Sequence, residues 1–391
     1  MHIAMTVGDM DPRTGGPPQV VAGSAVALAR RGHQVTVFTR EAHARTGAFA
    51  SQFAGLPIQV REFPIDAPAV LGNSWAMKQA FMAECGTIDV LHVHGIWEGH
   101  LAQLASAMRA ARKPVIVSSH GMLDGWSMRQ SAWKKQLALK LGGTGAMLHK
   151  ADAVVFGTQE ESAEGRAVVP HAPHAIIANG IDTQAIATST DSLDPAALLA
   201  RLPVLRNWRR TVLYFSRIHP KKGLDLLVSA FARHKDRFPN AGLLVVGIPQ
   251  DAEYLAHIRQ IVVDGGIADQ VAITTELTGP DAKIAFAVAD VFALPSHQEG
   301  FSMAIVEAMA AGKPLLITDK CHMAEVSGWQ AGVVVPDTGD GIAEGLERIL
   351  ALDDAALAQM GSNGRNIASD RYDWAQIAAQ LEAIYREVAR R

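Results

Sequence analysis

The run V-L-Y-F-S-R-I-H-P-K-K-G sets Arg217 at the end of an apolar stretch, with Lys221 and Lys222 just ahead of Gly223 and a helical pattern. Cations at a helix N-terminus oppose the macrodipole, which favours negative charge there, so an anion between them would relieve the conflict. Arginine offers a planar fork for phosphate oxygens and lysine a point charge, and a diphosphate suits both. Taken alone, the run is equally compatible with a solvent-exposed basic turn.

Two carboxylates follow in S-H-Q-E-G-F-S-M-A-I-V-E-A-M-A-A-G-K-P, from Ser296 to Pro314. From Met303 to Ala311 every residue except Glu307 is apolar, and Gly312-Lys313-Pro314 reads as a stop, so the spacing predicts a short helix apolar on all sides and buried. A buried carboxylate is costly without a partner, and this segment supplies none for Glu307. Glu299 precedes the helix, beside the amides of Gly300, Phe301 and Ser302, which can donate to phosphate or hydroxyl oxygens. Carboxylates accept hydrogen bonds from vicinal hydroxyls, so Glu299 and Glu307 beside a diphosphate site read as a sugar-recognising pair. The competing reading makes Glu299 a surface loop acid and pairs Glu307 with a buried Arg, Lys or amide.

The N-terminal half offers weaker signals. Gly15 and Gly16 precede a helix whose first turn holds Pro17 and Pro18, a turn that lets backbone approach an anion but is common without any ligand. Neither this loop nor G-G-T-G-A-M from Gly142 has the G-x-G-x-x-G spacing, which counts against a nicotinamide dehydrogenase. Asp9-Met-Asp11 has the form of a metal-binding Asp-x-Asp, but two acids in a turn are frequent by chance. His92 and His94 are two apart in L-H-V-H-G and share a strand face. They lack the further ligands that zinc requires, so hydrogen-bonded strand-end histidines are expected. His120 directly follows the strand V-I-V-S-S, where a cleft residue belongs.

These positions presuppose elements to hold them. The chain has 391 residues, 49% hydrophobic and 19% charged, with a formal net charge of -3. That length predicts two domains, and that balance gives no support for nucleic acid as a partner. Strand-like runs at His2–Val7, Gln34–Thr39, Val90–Val93, Val115–Ser119, Ala153–Phe156 and Ala175–Ile177 alternate with helical patterns such as Gln19–Arg31. The polar run T-S-T-D-S-L-D-P over 188–195 suggests a domain boundary within 185–205. The alternation resumes at Thr211–Phe215, then Gly242–Val246, Val271–Thr274, Val291–Leu294, Pro314–Thr318 and Gly332–Val335. The expected fold class is therefore α/β with two doubly wound parallel-sheet domains. Domains 1–190 and 205–370 are expected, followed by an amphipathic final helix in 371–391.

Cys85 and Cys321 offer neither a disulfide framework nor metal spacing. The N-terminus lacks a basic n-region and no apolar run reaches membrane-spanning length, so a cytoplasmic location is expected. Gly125 to Lys150 carries Arg129, Lys134, Lys135, Lys140 and Lys150 with Trp126 and Trp133 and no acid. This composition fits a solvated amphipathic face, or peripheral contact with anionic lipid at the inner face of the membrane.

In that order, S-R-I-H-P-K-K-G and E-G-F-S-M-A-I-V-E-A-M-A-A-G-K-P resemble the C-terminal half of the retaining glycosyltransferases of family 4, with the GT-B fold. The Gly15-Gly16 loop, D-V-L-H-V-H-G from Asp89, S-S-H-G-M-L-D-G-W from Ser118 and A-N-G-I-D from Ala178 extend the resemblance over nearly the whole chain. It implies two Rossmann-like domains facing a cleft, a nucleotide diphosphate sugar as donor substrate, and neither cofactor nor metal. Arg217 and Lys222 would hold the diphosphate, Glu307 the ribose, and Glu299 with the Gly300 to Ser302 amides the donor sugar. The first domain would bind the acceptor. Its Gly15-Gly16 loop would also reach the donor, His120 would act with Arg217, Lys222 and Glu299 in catalysis, and His94 and Asn179 would line the acceptor cleft. The final helix would cross back to the first domain. Ser302 stands where relatives often have Gly, and at the helix start it could instead serve as a cap.

The implied activity is transfer of a hexosyl group to a glycan or lipid-linked sugar, in polysaccharide or surface-glycan synthesis. An epimerase of the same fold and a non-catalytic nucleotide-sugar sensor are the rivals, with a zinc hydrolase on His92 and His94 a distant third.

Overall fold

The computed structural model describes all residues except 42–46, 130–131, 142 and 278–281. Gly142 and part of the basic Gly125 to Lys150 segment therefore lie outside the described residues. The chain divides into two compact units, Met1–Gly180 with Trp374–Arg391, and Ile181–Asp373.

The first unit is built on seven parallel strands: β1 His2–Val7, β2 Gln34–Arg40, β3 Ile58–Phe63, β4 Val90–His94, β5 Val115–Ser118, β6 Ala153–Phe156 and β7 His174–Ile176. Their order is β3-β2-β1-β4-β5-β6-β7. Helices cover both faces, so β4 and β5 are buried along their whole length and read as apolar runs in the sequence. β3 is the strand that the apolar-run pattern misses. It lies at the sheet edge, is half-buried, and carries Arg61 and Glu62 among its apolar residues.

The last helix, Trp374–Val388, packs on the first, Gly16–Arg30. Gly23 and Gly180 both lie under the Trp374 indole, where an added Cβ would come within 2.2 and 2.4 Å of the ring. Arg31 pairs with Glu382 at 2.6 Å, and hydrogen bonds from Arg31 hold that carboxyl down at about 2. These contacts fix the C-terminal segment within the first unit.

The second unit has six parallel strands: β8 Arg210–Phe215, β9 Ala241–Val246, β10 Val271–Thr274, β11 Val291–Leu294, β12 Leu315–Thr318 and β13 Gly332–Val335, in the order β10-β9-β8-β11-β12-β13. The polar run over 188–195 does not mark the division. Most of it completes a helix, Thr183–Ser192, capped by Asp182 accepting the Ala185 N–H at 2.8 Å. Thr183 Oγ1 donates to Asp373 at 2.6 Å and Arg365 pairs with Asp191 at 3.0 Å, so this helix belongs to the second unit. Its turn-forming residues mostly face solvent, and the division falls at Gly180/Ile181, ahead of 185–205.

In each sheet the connections leave in opposite directions from a neighbouring pair, β1 beside β4 and β8 beside β11. Ligands of open α/β sheets bind beyond the carboxyl ends of the strands at such a switch point.

Candidate active site

Beyond β8 and β11 the loops 216–223 and 295–302 meet. Pro220–Lys222 forms a single 3-10 turn, begun by His219 Nδ1 accepting the Lys221 N–H at 3.1 Å. Gly223 closes it with φ +62, and a Cβ there would sit 2.1 Å from the Pro295 carbonyl oxygen, so both backbone conformation and space demand glycine. The His297 N–H donates to the Lys221 carbonyl at 2.9 Å, lacing the loops together.

This scaffold turns Lys222 inward. Lys222 is 8% exposed and Glu299 6%, and the lysine Nζ donates to Glu299 Oε1 at 2.5 Å. The Ser296 hydroxyl donates to the same oxygen at 2.5 Å, and the Glu299 N–H donates to the Lys320 carbonyl at 2.9 Å. Glu299 is thus no surface loop acid. Its second carboxylate oxygen has no hydrogen-bond partner among the described residues.

Arg217 remains exposed just past β8. It donates to the neutral Gln250 at 3.1 Å and has no acidic partner among the described residues. The amides of Gly300, Phe301 and Ser302 donate to no protein acceptor among the described residues. Ser302 occupies the N-cap position of the helix Met303–Ala310, but its hydroxyl makes no cap hydrogen bond. Phe301 packs edge-on against Tyr372 at 5.7 Å.

Glu307 lies inside that helix with its side chain 19% exposed and Lys283 at 4.0 Å, the outer limit of an ion pair. Burial pushes its carboxyl up from the ordinary carboxylate range, with Lys283 opposing. The sequence argument required a partner for this carboxylate, and among the described residues the protein supplies only this distant one.

In the first unit the structure gathers His92, His94 and His120. His92 Nδ1 shares a hydrogen bond with the Tyr385 hydroxyl at 2.6 Å, and its Nε2 with Ser118 Oγ at 2.8 Å. The His94 ring lies 4.1 Å from that of His92, and its Nδ1 meets His120 Nε2 at 3.0 Å. Burial lowers all three, His92 to about 3, His94 well below its usual value and His120 to about 4, so the cluster is neutral near pH 7. This is a hydrogen-bonded array, and among the described residues no group of three or more His, Cys, Asp or Glu is placed to hold a metal ion.

His120 has φ +51, an unusual conformation for a side-chain-bearing residue. Glu161, which sequence reasoning missed, holds that loop: Oε1 accepts from the Ser119 hydroxyl at 2.7 Å and the Gly121 N–H at 2.6 Å, while Oε2 accepts from the Gly157 N–H at 2.7 Å. Only spatial proximity across β5 and β6 reveals this role. Gly15, with φ +134, and Gly16 are exposed at the start of the first helix, and Asn179 is half-buried at the end of the first stretch of this unit. Asp9 binds Arg40 at 2.8 Å.

The chain matches the family described as Glycosyl transferases group 1 over residues 204–367 and that described as Glycosyltransferase Family 4 over residues 14–185. A GDP-mannose-dependent alpha-(1-6)-phosphatidylinositol monomannoside mannosyltransferase of Mycobacterium tuberculosis is 31% identical, covering 75% of this chain and 76% of that protein. A D-inositol 3-phosphate glycosyltransferase of Gordonia bronchialis is 27% identical over 92% of this chain and 81% of its own. Among solved structures, Anabaena HepE in complex with UDP superposes with a TM-score of 0.78 at 22% identity, covering 99% of this chain and 100% of that one.

Proposed function

This chain belongs to the family 4 glycosyltransferases of GT-B fold, and on that premise we propose that it transfers a hexosyl group, with retention of configuration, from a nucleotide diphosphate sugar to a glycan or lipid-linked sugar. The observation that carries the donor half is the set of groups around β8 and β11 left uncommitted among the described residues: Arg217 without an acid, free loop amides, and Glu307 with only a distant lysine. Family membership favours transfer over donor epimerisation or sensing.

In this reading Arg217 and Lys222 receive the diphosphate, Glu307 the ribose hydroxyls, and the open oxygen of Glu299 with the Gly300 to Ser302 amides the donor sugar. The acceptor oxygen bonds to the anomeric carbon on the face that the phosphate leaves. The bond from that carbon to the phosphate oxygen breaks with its electron pair, and the acceptor proton departs on the leaving phosphate. Negative charge grows on the diphosphate as this happens, and fixed cations and amides stabilise it most where it develops. Charge compensation by Arg217 and Lys222 makes the transfer metal-independent. Neutral His120 acts as a hydrogen-bonding group to the sugar, its ring oriented by His94.

A lipid-linked acceptor accords with the helix Ala132–Leu141. Trp133 and Leu137, four residues apart on one face, are 69% and 50% exposed, and Lys134 and Lys140 flank them. In this reading the helix rests on anionic lipid. No helix among the described residues is long and apolar enough to cross a membrane.

The direct test is thermal stabilisation by UDP, GDP and ADP sugars, since a ligand of the native state raises its apparent stability. GDP-mannose comes first because the mannosyltransferase relative is named for it. Assay of transfer in EDTA, with the product's anomeric configuration read by NMR, then checks retention and metal independence. Stabilisation by no nucleotide sugar would remove the reading.

A further inference from the structure

A cavity of about 250 Å³ lies in the first unit at its own switch point, lined just past β1 by Gly8 and Asp9, and at and past the end of β4 by His94, Trp97 and Glu98, with Arg40 at its side. It is smaller than the ~300–1,000 Å³ of pockets for drug-sized ligands, so its guest is about one ring. Three features describe that guest.

The charges are unequal. Asp9 Oδ2 takes Arg40 at 2.8 Å, while Oδ1 accepts from the Thr14 hydroxyl at 2.7 Å and the Asp11 N–H at 3.0 Å, so this acid is occupied in holding the arginine. Glu98 accepts no hydrogen bond among the described residues, though it adds to the field on Arg40. Among the described residues that line it, the cavity therefore holds one more carboxylate than cations.

Gly8 gives that carboxylate its place: a Cβ there would lie 2.4 Å from both Glu98 oxygens. Finally, His94 is 2% exposed and its Nε2 has no hydrogen-bond partner among the described residues. Its Nδ1 shares a hydrogen bond with His120, and either tautomer leaves Nε2 in want of a partner. A hydroxyl answers either tautomer because it donates and accepts. A phosphate oxygen answers one only, and Glu98 repels it.

We infer that this cavity binds a neutral, hydroxyl-rich ring, a monosaccharide or cyclitol without phosphate, as the sugar-receiving part of the acceptor. Glu98 takes a pair of vicinal hydroxyls, and His94 takes one more. Binding by the cavity stands on its own observations, and its role as acceptor site rests on the transferase reading.

The test is saturation-transfer NMR on the full chain with methyl mannoside, methyl glucoside and myo-inositol, each beside its monophosphate. At least one neutral ring should bind, with its monophosphate about tenfold weaker or more. Glu98→Gln should narrow that gap, and Glu98→Leu should lose the neutral ring with an unchanged thermal midpoint. Arg40→Met provides a second, partly exposed site should the glutamate variants fail to fold, and should weaken binding of the ring. Binding of no neutral ring, a monophosphate bound as tightly, or folded variants behaving like the parent would overturn the assignment. Stabilisation by the UDP, GDP and ADP sugars, read in the same samples, separates the two claims: its absence with all of them removes the transferase reading and leaves the cavity's chemistry to be judged on the rings.

Discussion

Lys222 and Glu299 meet at 2.5 Å in a pocket that leaves both largely out of water. Each is then the other's charge compensation before any ligand arrives. Removing one partner of a buried pair typically costs about 3–5 kcal/mol, because the survivor is left uncompensated. Lys222→Ala is expected to lose both stability and transfer. Lys222→Met combined with Glu299→Gln removes both charges and should recover most of the stability, measured by urea denaturation, while transfer stays lost. Recovery of transfer in the double variant would show the pair to be structural only.

Glu307 should behave in the opposite way. Among the described residues its buried charge has only Lys283, at 4.0 Å, so Glu307→Gln is expected to leave the thermal midpoint unchanged or raise it. Hydrogen bonds to charged groups contribute about 1.5–3 kcal/mol, so the donor KM should rise about 10- to 100-fold with kcat little changed. A fall in stability with an unaltered KM would return Glu307 to the core.

The histidine cluster predicts an acid-labile first unit. In the unfolded chain each histidine titrates near ~6.5, whereas in the native state His92 and His120 are lowered to about 3 and about 4. The unfolded chain binds more protons below that value, so this stability is present above ~6.5 and lost as the pH falls through 6 and 5 towards 4. Each buried histidine contributes a slope of about 1.4 kcal/mol per pH unit. Thermal midpoints measured from pH 7.5 to 4.5 should fall steeply, and a flat profile would contradict the buried neutral array. Glu382, held down at about 2 by Arg31, acts in the same direction at lower pH.

Trp133 and Leu137 should mediate lipid contact. In flotation with vesicles containing phosphatidylglycerol, the parent chain is expected to float, and Trp133→Ser with Leu137→Ser to remain at the bottom at unchanged thermal midpoint. Flotation of both, or of neither, would remove the membrane assignment.

Much of this was legible in the sequence for a physical reason: parallel strands covered on both faces appear as apolar runs, and the turn before Leu224 needs its glycine twice over. β3 escaped because an edge strand carries charges. The polar stretch after Ile181 misled because serines and threonines on an exposed helix face look like a linker until their cap and ion pairs are seen. Residue type and position single out Arg217 and Lys222 as candidates. Their different states, one exposed and one buried on Glu299, depend on contacts between distant loops, as does the grip of Glu161 on the turn at His120.

The central claim is that Arg217 stabilises the departing diphosphate of a nucleotide sugar. Acceptor-dependent release of nucleoside diphosphate by the parent chain and by Arg217→Ala measures it. Arg217 is exposed and among the described residues makes one hydrogen bond, to a neutral partner, so its removal should leave the ligand-free thermal midpoint unchanged. The rate of release should fall about 100- to 1,000-fold, the usual loss when a preorganised donor to the developing charge is deleted. Release at the parent rate by the folded variant would contradict the account.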